Sequence, residues 1–181
     1  MRANTHIMSA VLTSMPITLL LSHTPTITTY PLLQIFIIVY VVSTLMPDID
    51  HEESIISKYI PYFLSAYFVS KGHRGATHRL NAVFVYGLIL SIIPIILQNI
   101  QLIIIPIAGM LGYLLHLLMD GITVSGIRKF VGNYDLQVLN SKHRFKTGSK
   151  KESKWYLSMQ FMSFIFGCLV FFFNGYSHLT F

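Results

Sequence analysis

The densest group of potential metal ligands in the sequence lies in Pro47–His51, where Asp48, Asp50 and His51 follow a long apolar run. Charged groups are costly beside hydrocarbon, so their clustering at the end of an apolar run indicates a site rather than a solvated turn. Carboxylates and imidazoles are ligands of zinc. In extended backbone, Asp48 and Asp50 would point to the same side. This stretch therefore predicts a metal site.

Imidazole and carboxylate groups recur at three other places, each beside an apolar run or a helix start. The full set of candidate ligands is His6, Asp48, Asp50, His51, His73, His78, His116 and Asp120. A helix would place His116 and Asp120 on one face, about one turn apart. Flanking glycines predict a tight turn that folds His73 back toward His78. On their shared face, His116 and Asp120 could hold a single ion or bridge two, and the whole set offers more ligands than one ion needs.

The elements that must position these groups are five apolar runs in a chain of 181 residues. The chain is 53% hydrophobic and only 11% charged, whereas soluble domains contain about 25% charged residues. Each run approaches the roughly 20 residues that span hydrocarbon. The runs are Ile7–Leu21, Leu32–Met46, Ala82–Leu97, Leu102–Met119 and Trp155–Phe173. The sequence predicts an all-α fold, a polytopic membrane helix bundle of about five transmembrane helices, with residues 1–181 in a single domain.

Three smaller features add detail to this bundle. Pro16 interrupts the first run, which lacks a clear small-residue cleavage site, so we interpret it as a retained helix rather than a signal peptide. Gly109 and Gly112 would let a second helix approach the fourth run closely. The segment Ile60–Val69 is apolar but too short to span, and we expect it to lie along the interface or pack beside the site.

Basic residues are confined to one side of this predicted bundle. None of the 13 lies in the segments 23–31, 98–101 or 174–181. Cytoplasmic segments are enriched in Lys and Arg, so we expect a multi-pass protein of the cytoplasmic (inner) membrane, with its N-terminus inside and its C-terminus outside. All the candidate ligands fall on that inner side, which predicts a metal site at the cytoplasmic face. His23 and His178 fall on the opposite side and are interpreted as structural, and His143 is a weak candidate among basic neighbours.

Each candidate group also has a purely structural interpretation. His6 alone could cap a helix, and His116 with Asp120 could join two helices through hydrogen bonds. The acidic residues after Pro47 could stabilise a following helix through its dipole. Placement of all eight candidates on one side favours metal binding over these separate explanations.

Charge and cysteine content indicate which molecules and metal ligands the protein would use. The net charge of +6 on one face should attract membrane lipids with anionic head groups or other phosphate-bearing molecules. Nucleic acid is not expected as a partner, because the basic segment 142–154 has no zinc-finger, helix-turn-helix or aromatic-interleaved pattern.

The single Cys168 lies inside the last apolar run, so a thiolate cluster is excluded and the metal must be held by histidines and carboxylates.

Motifs along the first three quarters of the chain carry a family resemblance. They are Thr5-His6, Met46–His51, Gly72–His78, Gly112-Tyr113 with His116 and Asp120, and Thr123 with Gly126. This ordered set resembles a family of bacterial and archaeal inner-membrane metal-dependent hydrolases, also described as LexA-binding, YdjM-like proteins. The resemblance runs to about Phe145, and the last helix, over 155–173, contributes little. Arg79 stands where the family usually has a small hydroxyl residue, and Thr123-Val124 stands where it has Thr-Pro.

The family is in turn distantly similar to zinc-dependent phospholipase C and the P1-type nucleases. That likeness implies that His116 and Asp120 match an HxxxD pair of metal ligands, while the other six candidates complete the site. It further implies two or three zinc ions (Zn2+), with Mn2+ or another divalent cation as the alternative.

These features predict a hydrolase of phosphoric ester bonds that acts on a lipid-linked or membrane-proximal phosphoester. Asp48 or Asp50 is the expected general base. Arg74 is placed to balance charge on a phosphoryl group. A lipid substrate could keep its acyl chains in the bilayer while its phosphate reaches the site.

Two functions of other classes remain as alternatives. One is a non-catalytic membrane regulatory or binding protein, which would use a structural metal site and recruit a soluble cytoplasmic partner through its basic loops. Structural zinc sites are closed and often rich in cysteine, which this chain lacks. The other is a metal transporter, whose ligands should lie near the bilayer midplane rather than at one surface.

Overall fold

The computed structural model describes residues 1–22, 30–70 and 72–177 and consists mainly of helices. The helices are α1 (Ala3–Ser22), α2 (Tyr30–Ser43), α3 (Tyr62–Ser70), α4 (Leu80–Ile96), α5 (Ile104–Gly121) and α6 (Lys150–Ser177). The strands β1 (Ile127–Val131) and β2 (Tyr134–Leu136) form one small antiparallel sheet. The predicted helix bundle is confirmed. The hairpin of β1 and β2 was not predicted.

Helices occupy all five predicted apolar runs, but they differ in their capacity to cross a membrane. Three segments in the described part are long and apolar enough, namely Ala3–Leu21, Pro31–Asp50 and Ile100–Gly121. The apolar helix α4 is shorter, at 17 residues. The last helix, α6, begins with the hydrophilic residues Lys150–Lys154. The fold is therefore that of a membrane helix bundle with three clear candidate spans.

Helix α5 lies at the centre, packed against α2 on one side and α4 on the other. A Cβ atom added at Gly112 would collide with the Tyr40 carbonyl oxygen and come within 3.0 Å of Ser43 Cβ on α2. One added at Gly109 would come within 3.2 Å of the Tyr86 ring on α4. The predicted role of these glycines in close helix approach is confirmed.

Helix α1 packs against α2 and α6. The core between α1, α2 and α5 contains Ala10, Phe36 and Ala108, all almost fully buried. Within it, the hydroxyl groups of Thr13 and Tyr40 form a hydrogen bond of 2.8 Å. Such interhelical hydrogen bonds help to fix the relative positions of apolar helices.

The Met46–Asp50 segment at the end of α2 is a 3-10 turn, so the extended backbone in which Asp48 and Asp50 would point to the same side does not occur. Pro47 occupies its first turn, where the fixed φ of proline favours helical geometry. With about three residues per turn, side chains two positions apart point in different directions. Asp48 and Asp50 accordingly contact different partners, although both reach the same cluster.

The sequence analysis did not anticipate the β1–β2 hairpin. Its strands pair Val131 with Tyr134 across a Gly132-Asn133 turn, and Gly132 has a positive φ of 58°. A Gly-Asn pair between short β-prone segments is a recognised hairpin signal and could have revealed it. The hairpin packs against the end of α5.

The short helix α3 falls on the predicted segment Ile60–Val69 and packs on the Met46–Asp50 turn, beside the site. Its outer side carries exposed aromatic rings, with Tyr62 87% and Phe63 70% exposed. Tyr59, just before the helix, is 83% exposed. The expectation that this segment packs beside the site is confirmed, and its position along the membrane interface stays a prediction.

Candidate metal centre

Four separate segments bring imidazole and carboxylate groups into one cluster at the ends of α1, α2, α4 and α5. Donor atoms of His6, His116 and Asp120 lie within 4.8 Å of one another, as do those of Asp48, His78 and His116. All of these side chains are buried except Asp48, whose side chain is 17% exposed. This cluster unites five of the eight predicted ligands.

The separations between these donor atoms exceed hydrogen-bond lengths but suit ligands that share a cation. His6 Nε2 lies 3.4 Å from Asp120 Oδ1, and His116 Nε2 lies 3.5 Å from Asp48 Oδ1. His78 Nε2 lies 3.8 Å from Asp120 Oδ2. Ligands about 2.1 Å from a tetrahedral zinc ion are about 3.4 Å apart.

Several nitrogens of the cluster are buried and have no hydrogen-bond partner within residues 1–22, 30–70 and 72–177. They are both ring nitrogens of His6 and the Nε2 atoms of His78 and His116. A buried polar atom that lacks a partner costs about 1–3 kcal/mol. Coordination to a cation would satisfy the Nε2 atoms, so the residues present fit a metal ion.

The other ring nitrogens of two histidines are held in a way that prepares them as ligands. His116 Nδ1 lies 2.7 Å from the Thr44 carbonyl oxygen, and His78 Nδ1 lies 3.2 Å from Asp50 Oδ2. Because a carbonyl or carboxylate oxygen accepts hydrogen bonds, each Nδ1 must donate, which leaves the Nε2 lone pair free. Metal-binding histidines are typically oriented by such contacts.

Asp50 holds the loop before α4 in place through hydrogen bonds. Its carboxylate accepts hydrogen bonds from His73 Nδ1 (2.9 Å), Arg74 N (2.9 Å), Thr77 Oγ1 (2.5 Å) and His78 Nδ1 (3.2 Å). With Asp48 and His73, Asp50 also forms a third group of potential metal ligands. Its hydrogen bonds nevertheless indicate a mainly positioning role.

His73 and His51 lie at the outer edge of the cluster. The predicted turn is confirmed, since the ring of His73 lies 5.5 Å from that of His78 and Gly72 has a positive φ of 85°. His51 is exposed, and its ring lies 5.0 Å from that of His73. It lies outside the three close donor groups, so its assignment as a ligand stays a prediction.

Positive groups converge on Asp120. Arg74 Nη2 lies 2.6 Å from Asp120 Oδ2, and the amino group of Met1 lies 2.6 Å from Oδ1. Arg74 also donates from Nη1 to the Gly126 carbonyl oxygen (2.7 Å) and to Ser125 Oγ. Its φ of 61° is unusual for a residue other than glycine. The sequence analysis had no signal for these contacts of Asp120.

An open cleft of about 520 Å³ lies over the cluster. One part of its lining is polar and includes Asp48, His73 and Arg74. Another part is apolar and includes Leu45 and Ile56. The cleft therefore offers both a charged and a hydrophobic surface to a bound molecule.

Comparison with known proteins now adds to this geometry. A family model described as YdjM inner membrane protein matches residues 1–178. The chain belongs to this family. No curated protein and no solved structure matches it. The YdjM match extends beyond Phe145 and includes the last helix, which contributes little to the motif resemblance.

Membership of the YdjM family and the three candidate spans together identify an inner membrane protein.

The remaining predicted residues lie apart from the cluster or outside the described part of the chain. His23 and His178, which are interpreted as structural, lie outside the described residues. His143 is exposed, and its backbone N–H donates to the Asn140 carbonyl oxygen. Arg79, which departs from the family motif, is also exposed and does not line the cleft. The cluster itself can hold a divalent cation between imidazole nitrogens and carboxylate oxygens.

Proposed function

We propose that this YdjM-family protein is a membrane-embedded, zinc-dependent hydrolase of phosphoric esters. The observation that carries the proposal is the set of three histidine Nε2 atoms and two carboxylates that face one another beside an open cleft. Zinc, when bound, supplies Lewis acidity toward a phosphoryl oxygen and makes a coordinated water more acidic. His6, His78, His116 and Asp120 would hold it, and Asp48 would bind through one oxygen only, which leaves its other oxygen available as a base.

Asp48 is the better candidate for the general base. Its side chain is partly exposed to the cleft, and in the described part of the chain it accepts no hydrogen bond. Asp50 is buried, and its oxygens already accept four hydrogen bonds. A base must be able to reach the proton that it removes, which favours Asp48.

Arg74 would bind the phosphoryl group from the rim of the cleft. Its guanidinium contacts Asp120, Ser125 and Gly126, which fixes its plane. Its Nε atom is buried and has no hydrogen-bond partner in the part of the chain that the structure describes. A fixed guanidinium is suited to an anionic oxygen because it needs little reorganisation.

A lipid phosphoester is the substrate class that suits this cleft. The apolar residues Leu45, Ile55 and Ile56 line it together with the polar groups. Exposed aromatic rings of α3 lie nearby, and tyrosines are enriched at membrane interfaces. The basic loops would place this face on the cytoplasmic side, among anionic head groups.

The test combines metal analysis with hydrolysis on the purified protein in detergent. We expect bound zinc and release of phosphate or a phospho-head-group from a panel of lipid phosphoesters. The His116→Ala/Asp120→Ala double variant should lose both properties. The exposed, non-lining Arg79→Ala variant is the matched control and should keep them.

Other outcomes distinguish the rival functions. Zinc binding without any turnover, together with an unaffected cellular phenotype in the double variant, would favour a regulatory protein with a structural metal. Absence of metal from protein purified under mild conditions would refute the hydrolase.

A further inference from the structure

A buried carboxylate lies at the start of α6, outside the set of candidate ligands. Glu152 is only 1% exposed. Its partners in the described part of the chain are uncharged N–H and O–H groups. A carboxylate is strongly destabilised by burial unless such groups compensate it, so its position calls for an explanation.

One oxygen of Glu152 serves its own helix. Oε2 accepts a hydrogen bond from Gly148 N (2.6 Å), while Ser149 Oγ accepts one from Glu152 N (3.3 Å). This arrangement resembles a capping box, in which Ser and Glu three residues apart satisfy the first N–H groups of a helix. By itself it would make Glu152 a local helix cap.

The other oxygen serves α1, which is about 150 residues away in sequence. Oε1 accepts hydrogen bonds from Arg2 N (2.7 Å) and Thr5 Oγ1 (3.2 Å). The N–H groups at a helix start lack intrahelical partners, and negative charge there is favourable. His6 belongs to the same turn, since its N–H lies 3.2 Å from the Arg2 carbonyl oxygen. Glu152 thus ties the turn that carries His6 to α6.

The position of His6 depends on this contact between Glu152 and α1, here called the anchor, more than the positions of the other histidines do. His116 is oriented by Thr44 and His78 by Asp50, whereas among the described residues neither ring nitrogen of His6 has a hydrogen-bond partner. Its ring is stacked on that of His116, with 3.8 Å between centroids. Apart from the 3.4 Å approach of its Nε2 atom to Asp120 Oδ1, the position of His6 is therefore set by its backbone and by stacking.

We infer that Glu152 is a positioning residue that holds the first turn of α1 against α6 and thereby sets His6 in the metal centre. The inference rests on the proposed function as far as the metal is concerned. The contact of Glu152 with α1 does not depend on metal and can be tested separately.

The first experiment measures zinc affinity of the full chain in detergent by competition with a chelator. Loss of a contact that orients a ligand typically weakens metal binding by about 10–100-fold, and we expect this for Glu152→Ala. Glu152→Gln should be intermediate, because its amide offers one acceptor oxygen in place of two. In a His6→Ala background, Glu152→Ala should cause no further loss. Lys150→Ala, an exposed neighbour in the same turn, is the control.

The second experiment needs no metal. Hydrogen exchange of the amides of residues 2–6 and modification of His6 by diethyl pyrocarbonate should both accelerate in Glu152→Ala, while modification of His78 should not change. If Glu152→Ala fails to fold, Thr5→Val removes only one bond and should give a smaller effect in the same direction.

The outcomes separate the two proposals. Unchanged exchange and labelling would overturn the anchor, and so would an equal loss of zinc affinity with and without His6. A wild-type protein that binds no zinc would refute the proposed function, and the labelling of His6 would then decide the role of Glu152 by itself.

Discussion

Asp48 and Asp50 are two residues apart, yet their surroundings predict opposite consequences when each is replaced by its amide. Asp50 lies at the centre of four hydrogen bonds, two of them from histidines of the cluster. Asp48 faces the cleft and the Nε2 atoms of His78 and His116. Asp50→Asn should therefore damage stability and metal binding, and Asp48→Asn should damage hydrolysis.

The expected size for Asp50→Asn follows from its contacts. The amide oxygen can replace Oδ2, which serves Arg74, Thr77 and His78, but the amide nitrogen then faces the donor at His73 Nδ1. Hydrogen bonds to charged groups contribute about 1.5–3 kcal/mol each. Loss of one hydrogen bond and weakening of the other three should lower the free energy of unfolding by about 2–4 kcal/mol. Asp48→Asn removes no such bond and should cost less than about 1 kcal/mol.

The assay has three readouts on each variant in the same detergent. Thermal unfolding in the presence of a chelator compares the hydrogen-bond contributions without metal. Zinc affinity should fall by about 10–100-fold in Asp50→Asn, because His73 loses its orienting acceptor and the hydrogen bond that orients His78 is weakened. Turnover of a lipid phosphoester should fall by about 10²–10⁴-fold in Asp48→Asn, as expected for loss of a general base.

Two results would contradict this reasoning. Equal stability of the two variants in chelator would show that the contacts of Asp50 do not hold the loop before α4. Full turnover by a zinc-loaded Asp48→Asn variant would exclude Asp48 as the base. Arg79→Ala, whose side chain is exposed outside the cleft, should leave all three readouts unchanged.

Three further predictions concern packing, metal and topology. Gly112→Val should lower the free energy of unfolding by about 1–3 kcal/mol, because its side chain would collide with the Tyr40 carbonyl oxygen; Gly167→Ala, with no atom within 4 Å, should be tolerated in the same thermal assay. Removal of zinc by a chelator should lower the unfolding temperature, since a ligand at 100 times its Kd stabilises by about 2.7 kcal/mol; an unchanged temperature would argue against a bound metal. A reporter fused after Phe181 should report an external location, and an internal signal would mean that one predicted span does not cross.

Much of the bundle and of the cluster follows from the side-chain pattern. Apolar runs locate the helices because lipid-exposed segments must satisfy their own backbone hydrogen bonds. The spacing of His116 and Asp120 predicts one helix face, and α5 confirms it. The conformation of Met46–Asp50 did not follow from the pattern, since the alternation of two aspartates fits both extended backbone and a 3-10 turn with different partners.

Other parts of the site depend on backbone groups, which a pattern of side chains does not reveal. The Thr44 carbonyl oxygen orients His116, and the N–H of Arg74 binds Asp50. Glu152 could be recognised as a capping residue from its spacing to Ser149, but its second contact, with α1, depends on how α1 and α6 pack. Tertiary packing thus decides which local signals become part of the site.

The net charge of the cluster favours a bound cation, and a bound cation would in turn favour an anionic substrate. Three carboxylates, from Asp48, Asp50 and Asp120, lie among the imidazoles, and Arg74 supplies one guanidinium. Counting only the three carboxylates and the guanidinium, two negative charges are uncompensated, and the amino group of Met1 offsets one of them. A first divalent cation would turn this balance positive beside the cleft, which is the sign that attracts a phosphoester. Asp48, Asp50 and His73, the third group of potential ligands, are the residues that would hold a further cation.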